Sequence, residues 1–319
     1  MKKRYYIIWM WMLIVLLTAC SNKDEDVFDH GNPTLDHKSE AITFSQEMGG
    51  VSVLIFNESN DNFKYLRSIV SGWSTDGKVS TRLNLGKYKF LFLKSAGTST
   101  SLYPASFDDN TSFDDIKIIA KTDTQNENYV LPVDEIWLPE TEELAKTIYT
   151  IVDETTVQNK LTRAVSQIIV HVKRVANESG KITELPFPPG KNITDDIKEI
   201  KLDINGVGEA VNIRGGIGST KTKDILDEVT DIDDYGFATY NGPFVFPKET
   251  AGQSTINISV IPSEDSVFPD MNTSVNGRLE RNKKLEITLL VTATYQLIDI
   301  TVDTNPMKEI AQGDSGIWE

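Results

Sequence analysis

The amino-acid sequence predicts an all-β protein with two tandem β-sandwich domains. Short runs rich in β-branched and aromatic residues recur along the chain, and clusters of Asn, Asp, Gly, Pro and Ser separate them. Strands do not alternate with long amphipathic helices, which disfavours an α/β fold. The 319 residues suffice for about two domains, and a content of 39% hydrophobic and 25% charged residues is typical of a globular protein. We expect the domains at residues 41–178 and 179–319.

The N-terminus has the pattern of a lipoprotein signal. Basic residues follow Met1, and residues 5–17 form an apolar run that is too short to span a bilayer comfortably. Leu17-Thr18-Ala19-Cys20 is similar to a bacterial lipobox, in which the cysteine thiol receives a lipid and the chain is cut just before it. Cys20 is the only cysteine. We predict a signal peptide at residues 1–19 and lipidation of Cys20; an ordinary signal peptide that contains a cysteine is the alternative.

Residues 20–40 form a predicted acidic tether. Loss of residues 1–19 removes three basic residues and takes the formal net charge from −15 to −18. The start of the tether is similar to the export signal of surface lipoproteins in Bacteroides-type bacteria, and its residues are Ser21, Asn22, Lys23, Asp24, Glu25 and Asp26. A solvated spacer is the alternative reading. With the lipid, this segment predicts attachment to the outer membrane, facing the cell exterior.

The first domain begins with a strand at residues 51–56, which is rich in β-branched and aromatic residues and ends at a polar cluster. Residues 80–85 and 88–93 flank Gly86-Lys87 and predict a hairpin with Tyr88, Phe90 and Phe92 on one face. Three further short strands are expected at residues 116–120, 136–138 and 146–152.

Residues 161–172 fit either a helical stripe or a strand. Four of the five residues from 168 to 172 are β-branched, which favours a strand. The turn-forming residues 177–180 and the proline cluster at residues 186–190 then interrupt the chain. The domain boundary near residue 178 rests on these two clusters.

The second domain repeats the pattern of short strands and polar loops. A helix is predicted at residues 223–229. Strands are predicted at residues 197–205, 209–213, 244–246, 256–261, 285–295 and 298–302.

Composition and spacing argue against an enzyme. A net charge of −15 and a pI near 4.7 would repel nucleic acid, so no nucleic-acid partner is expected. One cysteine and three histidines cannot build a disulfide framework or a Cys/His metal cage. His171 suits a structural role, and the acidic run at Asp231, Asp233 and Asp234 departs from a calcium-binding loop at Tyr235. The acidic pairs Asp108/Asp109, Asp114/Asp115 and Asp195/Asp196 do not establish a glycosidase geometry. We predict no catalytic residue, cofactor or metal.

The chain resembles the fimbrillin superfamily of Bacteroidales, and most closely its fimbrial anchor subunits. The likeness is carried by the lipobox at Cys20, the acidic tether, and residues 51–56, 85–90 and 161–168. It implies two tandem transthyretin-like β-sandwich domains and export as a lipoprotein. It also implies assembly with other fimbrial subunits by strand exchange, in which an extended segment of one subunit completes a sheet of the next.

The same resemblance raises the question of proteolytic processing. Stalk subunits of the family are typically cut after Arg or Lys, which releases the lipidated segment and the first strand. The first arginine after Cys20 is Arg67, which lies beyond the first predicted strand, whereas Lys23 and Lys38 are candidate cleavage sites. The absence of arginine from residues 21–66 motivates an anchor that keeps its lipid, and a processed stalk or tip subunit is the alternative.

Three further expectations concern the surface. Asp265-Ser266-Val267 resembles a short acceptor pattern for O-glycosylation, with Ser266 as the acceptor. Residues 305–319 are expected either to contact a neighbouring subunit or to be a frayed tail. A surface lipoprotein that binds glycans for nutrient uptake is the rival function, with Trp73, Trp137 and Tyr240 as stacking platforms.

Overall fold

The computed structural model describes residues 38–95, 97–185, 196–214, 222–229, 232–234, 238–248, 252–264, 266 and 269–307. These ranges consist mainly of strands, which confirms the predicted all-β class. Over the described ranges, no helix combines the length and hydrophobicity that a membrane crossing requires.

The first half of the chain contributes short strands, a five-residue helix and a 3-10 turn. Thr141 caps the helix by accepting a hydrogen bond from the Leu144 amide. In chain order the elements are β1 (Ser39–Ser45), β2 (Ser52–Ser59), β3 (Asn62–Ile69), β4 (Lys78–Asn84), β5 (Gly86–Ser95), β6 (Thr100–Tyr103), the 3-10 turn (Phe113–Asp115), β7 (Lys117–Ala120), β8 (Ile136–Pro139), α1 (Glu142–Lys146), β9 (Tyr149–Ile151), β10 (Thr155–Gln158) and β11 (Leu161–Arg163).

The second half contributes longer strands. They are β12 (Ser166–Glu178), β13 (Lys181–Glu184), β14 (Ile197–Gly208), β15 (Ala210–Asn212), β16 (Thr222–Val229), β17 (Ile232–Asp234), β18 (Ala238–Val245), β19 (Ser254–Pro262), β20 (Met271–Gly277), β21 (Lys283–Val291) and β22 (Leu297–Pro306). The strand interpretation of residues 161–172 is therefore confirmed.

Two sheets of the first half pack face to face. One has the order β10-β1-β4, and the other has the order β11-β8-β5-β2-β3 with β9 paired to β5. Successive side chains of β5 point to opposite faces of its sheet. Both faces are buried, because residues 90–93 are all buried. Tyr88, Phe90 and Phe92 face the core shared with β1, as predicted, whereas Leu91 and Leu93 face a second core.

The second half also forms two sheets, with the orders β17-β18-β12-β21-β22 and β16-β14-β19-β20. Regular alternation of buried and outward residues along β14, β19 and β21 supplies their core. Strands β12 and β21 pair in parallel over eight residues.

A small sheet, β15-β7-β6, combines strands from both halves, and the larger hydrophobic core is continuous across them. Strand β12 pairs with β13, β18 and β21, all of which follow it in the chain. The division into domains at residue 178 stays a prediction.

The predicted hairpin at residues 80–93 is wrong, although both strands exist. Strand β4 pairs with β1, and β5 pairs with β2, β8 and β9, so the chain passes from one sheet to the other at Leu85. Gly86 has φ +155°, a conformation that favours glycine and lets the chain change sheets there.

The predicted helix at residues 223–229 is also wrong. These residues lie in β16 and pair with β14 from Ile200 to Val207, with the Ile225 side chain buried. Antiparallel pairing with β14 overrides the helical spacing of this short segment.

Candidate functional site

Strand β1 fills the centre of a three-stranded sheet. All seven of its residues pair with β4, and Ile42 to Ser45 also pair in parallel with β10. Ile42 and Phe44 are fully buried. The Phe44 ring meets the rings of Phe90 and Phe92 edge to face, with centroids 4.9 and 5.9 Å apart.

Loss of β1 would therefore open a groove. Both β4 and β10 would lose their hydrogen-bonding partner, and the aromatic core beneath Phe44 would be exposed. Gln46 fixes the end of β1 by donating from its side chain to the Asn159 carbonyl at 2.7 Å and from its backbone to the Gly77 carbonyl at 2.9 Å. In the structure this groove is filled by β1, the first strand of the described residues.

The positions of basic residues around β1 determine whether a Lys- or Arg-specific protease could release this strand. Lys38 is exposed and immediately precedes β1, so a cut after Lys38 would leave the strand in place. Residues 39–63 contain no lysine or arginine. The first basic residue beyond them is Lys64 in β3, whose ammonium donates to the Asn110 carbonyl at 2.8 Å. Cleavage after a basic residue cannot separate β1 from β2.

Arg67, the first arginine after Cys20, has a structural role. It lies in β3, and its guanidinium donates to the Thr81 hydroxyl and the Arg82 carbonyl of β4. These contacts join the outer strands of the two sheets of the first sandwich and occupy part of the free edge of β4. Arg67 therefore helps to close the sandwich.

Strand β22 is the outermost strand of its sheet. In the described part of the chain it pairs only with β21, and most of its residues are exposed. Ile298, Ile300 and Val302 alternate with polar residues, so one face of β22 is apolar and Ile300 packs against the core. Such an alternating edge strand is suited to β-augmentation.

Several predicted site residues lie outside the described residues. They are Cys20, the export-signal residues 21–26 and residues 308–319. Ser266 is described and half-buried, and its amide donates to the Ser263 carbonyl at 3.0 Å. Lipidation of Cys20, export through residues 21–26, processing at Lys38 and glycosylation of Ser266 remain predictions.

Two of the three aromatic residues considered as glycan platforms are buried, so that expectation is wrong for Trp137 and Tyr240. Lys94 and Arg163 lie over the Trp137 ring, at 5.0 and 5.3 Å from its centroid. Trp73 is half-buried against the core of the first sandwich. Only Trp73 retains partial access to solvent.

The titratable residues considered for chemistry occupy structural positions. His171 is half-buried in β12 with its Nδ1 atom 3.0 Å from the Thr239 hydroxyl, and burial lowers its pKa. Asp233 and Asp234 lie in the extended strand β17 rather than in a loop. Across the described residues, His, Cys, Asp and Glu side chains form no group that could hold a metal ion.

Arg281 is a half-buried residue that the sequence did not single out. It lies between β20 and β21 and donates to five backbone carbonyls of the first half. The shortest of these contacts reaches the Pro139 oxygen at 2.8 Å. Burial lowers the pKa of Arg281 to about 10. No sequence pattern separates it from Arg278, which forms a surface ion pair with Glu280.

Comparison with known proteins identifies a family. The model of the family described as fimbrillin-A associated anchor proteins Mfa1 and Mfa2 matches residues 28–310, which is most of the chain. No curated protein sequence matches the chain.

Similar solved structures come from Porphyromonas and Bacteroides species. The fimbrial anchor protein Mfa2 from Porphyromonas gingivalis is 13% identical, with 85% of this chain and 100% of that chain covered and a TM-score of 0.45. A candidate polysaccharide-binding protein from Bacteroides thetaiotaomicron is 12% identical, with 85% and 98% covered and a TM-score of 0.50. A candidate adhesin from Bacteroides ovatus is 11% identical, with 83% and 92% covered and a TM-score of 0.49. At these identities the likeness concerns the fold alone.

Proposed function

The chain belongs to the family of fimbrillin-A associated anchor proteins, and from this membership we propose that it is a non-enzymatic lipoprotein that holds a fimbrium on the outer membrane. Its partners are other fimbrial subunits. In this proposal, lipid on Cys20 supplies the membrane attachment, and residues 21–26 direct the protein to the cell exterior. Several acyl chains hold a protein on a membrane far more firmly than one.

The observation that carries the proposal is the protection of β1 from release. In this proposal, a subunit in the middle of the polymer resembles the stalk subunits of the family, which lose their first strand and accept a neighbour's strand in its place. Here β1 is central in its sheet, and residues 39–63 offer no basic residue at which a Lys- or Arg-specific protease could cut. A subunit whose groove stays closed can end a chain of subunits but cannot extend it at that groove. This is the property required of a basal anchor.

N-terminal mapping and intact-mass analysis of protein from washed outer membranes test this function. We expect a chain that starts at lipidated Cys20 and is uncut through β1, and a Cys20→Ala variant should release its fimbriae into the medium. A mature chain without lipid that begins at Ser39, or beyond β1, would contradict anchoring and support the stalk or tip alternative. The same spectra test Ser266, since a glycan adds mass to its peptide.

A new cleavage site tests the importance of the closed groove. Gly49 lies in the connection between β1 and β2, and a Cβ atom there would meet no heavy atom within 4 Å. Gly49→Arg should introduce an Arg-specific cut between β1 and β2 without disturbing the fold. We expect cut Gly49→Arg protein to bind a synthetic peptide of residues 39–45, whereas the uncleavable control Gly49→Gln does not. Equal binding by both proteins would show that the groove is open without processing.

We further propose that β22 is the strand this subunit offers to its neighbour. The support is its edge position and the exposure of most of its residues. A photo-crosslinking residue at Thr304 in β22 should capture the adjoining subunit in intact fimbriae. The same residue at Lys181, which is exposed in β13, serves as the control. Capture from Lys181 but not from Thr304 would assign the contact to another surface.

A further inference from the structure

The edge strand β22 carries two exposed carboxylates on one of its faces. Asp299 and Asp303 are both exposed, and the strand contains no lysine or arginine. Because they are four residues apart, their side chains lie on the same face of the strand, roughly 13 Å from each other along it. Ile300 lies on the opposite face and packs against the core. The charged face of β22 is therefore its solvent face.

The neighbouring strand β21 does not neutralise these carboxylates. Asp303 is the register partner of Glu286, so two carboxylates lie opposite each other, and like charges in opposite positions destabilise strand pairing. The Asn305 side-chain amide donates to Glu286 at 2.9 Å, and one oxygen of Asp299 accepts from the Ile300 amide at 2.8 Å. Across the described residues, neither aspartate of β22 forms an ion pair with a basic side chain. The face has room for positive charge.

We propose that β22 pairs with an extended segment of another fimbrial subunit that carries two basic residues four positions apart. This inference rests on the proposed role of β22 as the contact strand and adds the chemistry of its partner. Main-chain hydrogen bonds along the free edge hold the segment. Its basic side chains lie opposite Asp299 and Asp303, where opposite charges stabilise cross-strand pairing.

Charge argues against a second copy of this chain as the occupant. Antiparallel pairing of two β22 strands about their middle would bring Asp299 of each copy opposite Asp303 of the other, which is repulsive. Strand β4 has two basic residues at the required spacing, Lys78 and Arg82, but the Arg67 guanidinium occupies part of its edge. The occupant is therefore a segment of a different subunit.

Labelled peptides test the charge preference of β22 by fluorescence anisotropy. The protein is the full mature chain with Cys20→Ser, and no other subunit is present. The basic peptide TKVTVKT places two lysines four residues apart on one face. TEVTVET replaces them with glutamates, and KKTVTVT keeps the composition of the basic peptide but places its lysines on opposite faces. We expect TKVTVKT to bind at least about fivefold more tightly than either of the others, and its affinity to fall as the salt concentration rises.

Reversal of the two carboxylates provides a variant whose effect has a definite sign. Asp299→Lys/Asp303→Lys should prefer TEVTVET to TKVTVKT, a result that loss of folding could not produce. Asp109→Lys/Glu154→Lys makes the same change of net charge at two exposed residues outside β22 and should keep the wild-type preference.

Wild-type protein that binds the three peptides equally, or binds none of them, would overturn the inference. An unchanged preference in Asp299→Lys/Asp303→Lys would overturn it as well. These results leave anchoring untouched, because anchoring is measured by the lipid on Cys20 and the release of fimbriae. Capture of a neighbour at Thr304 without a charge preference would keep β22 as the contact strand and overturn only the basic character of its partner.

Discussion

At the scale of single residues, Tyr240 places a hydroxyl group in the core of the second sandwich. The side chain is fully buried, and its oxygen has no hydrogen-bond partner among the described residues. Burial raises the pKa of this phenol because the charged form would be poorly solvated. The ring therefore stabilises the core while the hydroxyl group opposes that stabilisation.

We expect Tyr240→Phe to leave the free energy of unfolding unchanged or to raise it by about 1 kcal/mol, because it removes an unpaired buried polar atom. Tyr240→Ala should lower it by about 3 to 5 kcal/mol, since it leaves a cavity. Urea unfolding of the unlipidated Cys20→Ser chain measures both. A loss of more than about 1 kcal/mol in Tyr240→Phe would indicate that the hydroxyl has a partner.

The burial of His171 predicts that the stability of the fold decreases as the pH is lowered. Burial lowers its pKa in the folded state, so between the folded and unfolded pKa values the unfolded chain binds more protons. The contribution of His171 to stability is therefore lost as the pH falls through the ordinary histidine value of about 6.5. Glu286 opposes this shift without reversing it.

Replacing His171 with Gln should flatten the pH dependence of stability in this interval. We expect the melting temperature of the wild type to fall more than that of His171→Gln between about pH 8 and about pH 5.5. Scanning calorimetry at several pH values measures the difference. His37→Gln in the predicted tether controls for loss of a histidine. Parallel pH profiles for His171→Gln and the wild type would show that His171 titrates alike in both states.

At the scale of elements, the composition of the chain predicted the positions of the strands better than it predicted their pairing. The positions of β2, β5, β12 and β21 follow from runs of β-branched and aromatic residues. Sequence adjacency predicted that β4 and β5 pair, whereas β4 pairs with β1, which lies more than 30 residues earlier along the chain. Local sequence carries little information about a partner that arrives from a distant segment. The short segment of β16 was misassigned for a different reason: its spacing also fits a helix, and only pairing with β14 determines its extended conformation.

Because one face of β1 packs against the core, substitutions at adjacent positions of β1 should have unequal effects on the free energy of unfolding. Phe44→Ala should lower the free energy of unfolding by about 3 to 5 kcal/mol, because its ring is buried against Phe90 and Phe92. Thr43→Ala is the matched control, since Thr43 points away from that core and its hydroxyl bonds Ser80 at the surface. It should cost less than about 1 kcal/mol. If urea unfolding gave similar losses of unfolding free energy for both variants, the packing of β1 against the core would not explain its contribution to stability.

At the scale of the whole molecule, the sequence predicted the class of the protein better than its sites. The lipobox, the acidic tether and the spacing of strands led to the correct family and to an all-β fold. The small sheet β15-β7-β6 could not be found this way, because Tyr103, Lys117 and Asn212 come together only through pairing of separate parts of the chain. Arg281 was missed because only its folded environment distinguishes it.

The contacts of Arg281 also lead to a prediction about how the two halves of the chain, β1–β11 and β12–β22, are coupled. Its guanidinium lies between them and donates to carbonyl oxygens at the ends of β8 and β11. Arg281→Met removes these donors and leaves several partly buried acceptors unpaired, so we expect stability to fall by about 2 to 5 kcal/mol. Arg281→Lys should rescue only part of the loss, because one ammonium cannot reproduce the fork of donors.

Hydrogen exchange of the Arg281→Met protein separates coupling from local damage. If Arg281 holds the halves together, amides in β8 and β11 should exchange faster along with those around residue 281, although the two regions are more than 100 residues apart. Arg278→Met, which removes only a surface ion pair, should change stability by less than about 0.5 kcal/mol and leave both regions protected. Faster exchange confined to residues near 281 would mean that the continuous core couples the halves without this residue.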